Sequence, residues 1–348
     1  MLRDAKHIWR SSLVTPAAVL LGTFLVVPGR APAQSSTPQN SPASHASASQ
    51  VAPSPQSHAQ HRTFPSAEGA ADALYSAAKK HDESSMLAIL GPDARDIVVW
   101  TDNSADRTAE DDQFAGKYEQ MHRLVKEPDD ETALYVGAEN WPLPIPIVER
   151  NGLWYFDCSL GRREILYRRI GENEMSIIEA VRGAFDAENQ YYANSTEAGT
   201  NAVEEYARHL TCSKDQHDGL FSPASDSDND NNAIGPYLAQ ASYDRSDREP
   251  FHGYFFRILT AQGQHAHGGA RNYMVNGKMT GGFAILAFPA AYRSSGVKTF
   301  VVGQDGRIFE KDLGSGTTQL AAAMKSYDPD GTWKLVRRNE FLNDQVVP

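Results

Sequence analysis

The chain predicts an α+β protein in two parts, each with helices ahead of antiparallel strands. Three observations carry this. Small and apolar residues recur at helical spacing over 67–78 and 174–193. An Asn-Gly pair at 151–152 sits between Ile147-Val148 and Leu153-Trp154-Tyr155-Phe156, a strong hairpin signal because both turn residues tolerate positive φ. Beyond residue 232 almost all the periodic segments are strand-like.

The first 33 residues read as an export leader: Arg3, Lys6 and Arg10 form a basic head, Leu13 to Val27 an apolar run, and Ala31-Pro32-Ala33 a small-residue exit. Pro16 and Gly22 interrupt the run, which at about fifteen residues falls short of the roughly 20 a membrane-crossing helix needs. Cleavage is the better reading, with a retained N-terminal anchor as the alternative. No later segment is long and apolar enough to span, so the mature protein is expected to be soluble, in the periplasm or outside the cell. Residues 34–62 are almost wholly Ser, Ala, Pro, Gln and His and cannot bury enough surface to offset chain entropy, which predicts a disordered linker. Its histidines, His45, His58 and His61, are too widely spaced to favour an ordered metal site.

The first folded part, residues 63–171, opens with Phe64-Pro65-Ser66, where Ser66 can cap a helix carrying Ala67, Ala70, Ala71, Leu74, Ala77 and Ala78. A second short helix runs from Ser85 to Leu90 and stops at Gly91-Pro92. Leu143, Ile145 and Ile147 alternate with prolines, confining that stretch to an edge or polyproline-like strand.

The second part, residues 172–348, begins with a long helix over Glu174 to Ala193, on which Ile177, Ile178, Val181, Phe185 and Tyr192 fall close to a period of 3.6. Val203 to Leu210 reads as more helix and Cys212 to Asn232 as a polar loop. Strands follow at Tyr254 to Leu259, Tyr273 to Val275, Gly282 to Phe288, Phe300 to Val302 and Ile308 to Glu310. Turns at Asn276-Gly277 and Asp305-Gly306 make the sheet antiparallel, and Thr317 to Lys325 closes as a helix.

Charge and motifs exclude several functions. A net charge of −11 argues against nucleic acid or anionic membrane surfaces as partners. There is no G-x-S-x-G, H-E-x-x-H, Walker A or strand-borne G-x-G-x-x-G, so no catalytic or cofactor-binding residue is assigned and no cofactor is expected. Asp226, Asp228, Asp230 and Asn232 match the first ligands of a calcium loop, but Asn231 replaces its turn glycine and Tyr237 its bidentate glutamate. His265-x-His267, with His252 nearby, has a spacing zinc accepts, yet no carboxylate or cysteine stands at a recognisable ligand spacing. Ser295-Gly296-Val297-Lys298 reads S-x-x-K without the helix that chemistry needs. No metal site is therefore assigned. Cys158 and Cys212, an even pair in an exported chain, are candidates for one disulfide, which would contribute about 4 kcal/mol. Aromatics around Trp141, Trp154-Tyr155-Phe156 and Tyr254-Phe255-Phe256 read as core before groove, and Arg162-Arg163 with Arg168-Arg169 as a solvated strand edge.

Several separated blocks carry a resemblance. Phe64 to Leu90, Trp154-Tyr155-Phe156-Asp157, Arg169-Ile170-Gly171-Glu172-Asn173-Glu174, Pro250-Phe251-His252-Gly253-Tyr254, Arg257 to Gly263, Gly281-Gly282-Phe283-Ala284 and Phe309-Glu310-Lys311-Asp312-Leu313-Gly314 together resemble the bacterial exported family catalogued as domain of unknown function 2950. That resemblance implies export and no site residues. Residues 64–170 also resemble a nuclear-transport-factor-2-like cone and residues 174–313 a pseudopilin head, likenesses of fold only.

These readings lead to an exported, non-enzymatic binding or envelope-associated module acting through a groove between its parts on an envelope component, peptide or carbohydrate. Two alternatives stay open: an envelope hydrolase with carboxylates distant in sequence, and a structural partner of a secretion apparatus.

Overall fold

The computed structural model describes residues 62–99, 103–197, 204–213, 218–222 and 234–337, and divides them into two compact units. The leader, the linker with its three histidines and the Asp226–Asn232 stretch lie outside the described residues.

The first unit holds 62–141 and 147–156. Helix α1 (Ala67–Lys79) starts where the Ser66 side chain accepts the Gly69 amide, and buries the alanine and leucine stripe read from the sequence. Helix α2 (Glu83–Leu90) is capped by Asp82 and ends at Gly91, whose φ of 92° suits glycine. Helix α3 (Ser104–Gln120) is a difference from expectation. Its inner face carries Glu110 and Asp111 among Phe114, Ala115 and Tyr118, so buried acids break up the apolar stripe that would have announced it. Strands β1 (His122–Lys126), β2 (Thr132–Val136), β3 (Ile147–Arg150) and β4 (Leu153–Phe156) form an antiparallel sheet in that order. Asn151 (φ 56°) and Gly152 (φ 77°) make the β3–β4 turn as expected.

The second unit holds 142–146 and the described residues from Asp157 on. Its helix α4 (Cys158–Glu197) is 40 residues long, starts sixteen residues earlier than the apolar period suggests and runs unbroken through Gly171. Asp157 explains the early start, since its carboxylate accepts the Ser159 and Leu160 amides at 2.9 and 3.1 Å. Arg162, Arg163, Arg168 and Arg169 therefore lie on a helix, which corrects their reading as a strand edge; Arg168 reaches Glu164 one turn back, and Arg169 donates to the Ser294 carbonyl.

The inner face of α4 (Ile177, Val181, Ala184) packs in one core with a sheet of β5 (Tyr254–Leu259), β6 (Ala284–Pro289), β7 (Lys298–Gly303), β8 (Ile308–Asp312) and β9 (Lys334–Leu335), ordered β9-β8-β7-β6-β5 and antiparallel throughout. Every residue of β6 is buried, as a central strand covered on both faces requires. Helix α5 (Thr317–Ala323) forms as expected but does not close the chain, since the strands Ser326–Tyr327 and β9 follow it. The Asn276-Gly277 turn joins a separate two-strand hairpin, Met274–Val275 with Lys278–Met279. Asp305-Gly306 lies in a five-residue loop after the last pair, Val302 with Ile308.

Residues 204–211 are not helical: they run extended and end in the strand His209–Thr211, paired in parallel with Gly219–Phe221. The Ala207 amide goes to the Glu188 carboxylate and the Tyr206 amide to the Met279 carbonyl, so these donors are unavailable to a helical ladder. Along α4 the block 169–174 has a structural use. Glu174 Oε1 accepts the Val297 and Lys298 amides at 2.8 and 2.9 Å, and Asn173 donates to the Ser295 carbonyl. Gly296 must lack a side chain, because a Cβ there would stand 2.1 Å from the Tyr254 hydroxyl.

Candidate functional site

In the second unit the short strands Ala261–Gln262 and Ser326–Tyr327 pair in parallel, so the loops leaving their C-terminal ends emerge side by side. One loop is 263–270 and carries the two histidines; the other is 328–333. Parallel pairing thus brings together residues more than 60 positions apart.

Asp328 is the centre of the arrangement. Its Oδ1 accepts the His265 amide at 2.7 Å, and its Oδ2 lies 3.1 Å from His265 Nδ1. The carboxylate favours the tautomer with hydrogen on Nδ1, which leaves Nε2 as an acceptor on a half-exposed ring. Gly263 makes the approach possible, since a Cβ at that position would stand 2.2 Å from the Asp328 carboxyl carbon.

Gln262 fixes the histidine loop from beneath. Its amide nitrogen donates to the His267 and Gly269 carbonyls, and its oxygen accepts the hydroxyl of the fully buried Tyr273. Gly268 and Gly269 take φ of 87° and 75° to complete the loop. Ala266 tucks into the core, which turns its neighbours outward.

On the second loop Asp330 accepts both the amide and the hydroxyl of Thr332, and these bonds hold its carboxyl below the ordinary range, with Lys311 and His265 adding attraction. Lys311 donates to the Thr332 hydroxyl and lies over the half-exposed Trp333 ring, 5.7 Å from its centre. Two carboxylates, an imidazole acceptor, a hydroxyl, an ammonium and an indole face therefore lie on or beside these two loops. Such a set suits a polyhydroxylated ligand: its O–H groups donate to carboxylate and imidazole, its oxygens accept from Lys311, and an apolar ring face lies on the indole.

Sequence reading singled out His265 and His267 but missed Asp328, whose signal is the parallel strand pairing. His267 contributes its carbonyl to Gln262, and His252 lies edge-on to Phe251. Among the described residues no three His, Cys, Asp or Glu side chains converge as a metal site. Ser295 caps its own turn through Ala291, and Lys298 opens β7 with its ammonium 3.6 Å from Glu310. Tyr254 and Phe256 are core, Phe255 is half-exposed, and Trp141, Trp154 and Tyr155 are half-buried. Cys158 and Cys212 are not bridged, which corrects the disulfide expectation. Cys158 opens α4, whereas Cys212 lies near Tyr191, about 50 Å along the helix at 1.5 Å per residue.

Each unit also contains a buried carboxylate. In the first, Asp111 faces His81 (Nδ1 at 3.7 Å), whose other nitrogen lies 3.4 Å from Asp112. Burial pushes the Asp111 carboxyl up to about 6, against the pull of His81. In the second, Glu188 is fully buried within α4, and burial pushes it well above the ordinary carboxylate range.

The class that fold and site define is a two-unit α+β protein with a polar, aromatic-edged loop pair leaving a short parallel strand pair of its second unit. The family model described as protein of unknown function (DUF2950) matches residues 61–336, and the chain belongs to that family. No curated protein and no solved structure matches it.

Proposed function

We propose that the protein is an exported, non-enzymatic module that binds a glycan of the cell envelope at the loop pair 263–270 and 328–333. The leader pattern of residues 1–33 supports export. The observation that carries the binding reading is the convergence of the Asp328–His265 pair, Asp330, Thr332 and the Trp333 ring with Lys311 of β8, the histidine loop being fixed by Gln262. Rigid loops on a sheet scaffold lower the ordering cost of binding. Calorimetric titration of the purified chain with cell-wall glycan fragments and with envelope peptides tests this. Saturable binding of the glycan, lost in His265→Ala and Trp333→Ala, is expected. Binding of the peptides alone would overturn it.

A second reading, an envelope hydrolase, is favoured by one observation: a carboxylate orienting a histidine whose far nitrogen faces solvent is the supporting half of a general-base arrangement. Chromatography of the same mixtures after long incubation separates the two. Release of smaller fragments, abolished by His265→Ala, would replace the binding-only account.

A further inference from the structure

Glu188 carries an inference independent of the loop pair. Its side chain is 0% exposed, Oε2 accepts the Ala207 amide at 2.9 Å, and Oε1 is buried without a hydrogen-bond partner. The bond crosses from α4 to the extended segment 204–211. The segment is also held by the Tyr206 amide to Met279, the Glu205 amide to Ser195 Oγ, the Arg208 and His209 amides to the Asp218 carbonyl, the Glu205–Lys278 and Arg208–Asp218 ion pairs, the pairing of 209–211 with 219–221, and the burial of Tyr206, Ala207 and Leu210 in the core.

We propose that Glu188 is a proton-dependent latch: as a neutral carboxyl it fastens residues 204–211 to α4, and its ionisation releases them. An ionised carboxylate held in an apolar core with one amide donor is costly, and opening the segment that supplies the donor brings water to it at the expense of exposing Ala207 and its buried neighbours. The surrounding groups do not relieve the charge. Tyr191 on the same helix and Tyr206 on the segment are phenols made harder to ionise first of all by burial, with nearby acidic groups adding to it. Glu205, Asp218 and Cys212 also face Tyr191, so the neighbourhood is acidic. Among the basic groups there, Lys278 is paired with Glu205 and Arg208 with Asp218, while Arg271 acts on Tyr206 and donates to Gln304.

The sign follows from the raised carboxyl. Stability from the latch is complete at low pH and is lost as pH rises through the folded-state titration, with the opening constant rising about tenfold per pH unit for one linked proton. Hydrogen exchange of the full chain across neutral to alkaline pH, corrected for intrinsic exchange, reads this directly. The expected result is a loss of protection in 204–211, approaching tenfold per pH unit, while β6 stays protected. In Glu188→Gln the protection of 204–211 should be independent of pH. A flat wild-type profile, or the same slope in Glu188→Gln, overturns the proposal. Should the variant fail to fold, infrared spectroscopy of the wild type decides: a protonated-carboxyl band must disappear over the pH range in which protection is lost, and a band that does not track protection overturns the latch.

Discussion

Replacing Gly263 by alanine perturbs the loop pair at a single point. The backbone tolerates alanine, but the new Cβ would lie 2.2 Å from the Asp328 carboxyl carbon and 2.5 Å from both of its oxygens. Ordinary carbon contacts begin near 3.5 Å, so the carboxylate must move by about 1.3 Å. That displacement breaks its bonds to the His265 amide and ring, now 2.7 and 3.1 Å long. Bonds to a charged partner contribute about 1.5–3 kcal/mol each when buried; at this half-exposed site about 1 kcal/mol each is appropriate, giving a loss of about 2 kcal/mol. Gly331, in the same loop as Asp328, has open space where a Cβ would go, so Gly331→Ala is the matched control and should fall within about 0.5 kcal/mol of wild type. Urea unfolding of the three proteins measures the difference. Equal midpoints for Gly263→Ala and Gly331→Ala would show that Asp328 does not hold the histidine loop.

Three more outcomes are expected. Gly171→Ala adds a side chain with nothing near it in the interior of α4 and should raise stability by about 0.5–1 kcal/mol in urea unfolding; no gain would mean that the helix is broken there. Glu174→Ala strands the Val297 and Lys298 amides and should lower stability by about 2–4 kcal/mol, whereas Glu174→Gln keeps an acceptor and should lose clearly less; equal losses would contradict the amide bonds. Asp111 has a folded-state titration near 6, above its ordinary 3.8, so its stabilisation is complete at low pH and lost as pH rises through 6. Wild type should therefore lose about 1–2 kcal/mol relative to Asp111→Asn between about pH 4.5 and 7.5, and parallel pH profiles would refute the buried-carboxyl reading.

What the sequence makes legible follows period and turn chemistry. The α1 stripe, the Asn151-Gly152 hairpin and strands β5 to β8 of the second sheet are readable because apolar side chains and positive-φ residues report directly on local geometry, whereas the exposed two-residue β9 carries no such signal. Helix α3 is hidden because Glu110 and Asp111 occupy inward positions, and the first third of α4 because its face is only partly buried and rich in arginine. The mistaken helix at 203–210 has a tertiary cause, since Glu188 and Met279 take the backbone donors a helix would use. At the candidate site the histidines are visible in sequence, but the carboxylate that orients one of them arrives from a strand paired in parallel, and a one-dimensional spacing rule cannot find such a partner.

The central claim, that the loop pair is where this protein meets its ligand, is tested most directly by amide NMR of the folded chain during titration with cell-wall glycan fragments. Saturable shift changes concentrated in 263–270 and 328–333, with a perturbed Trp333 indole resonance, are predicted. Shift changes confined to other surfaces, or a spectrum that stays unchanged through the titration, would contradict it.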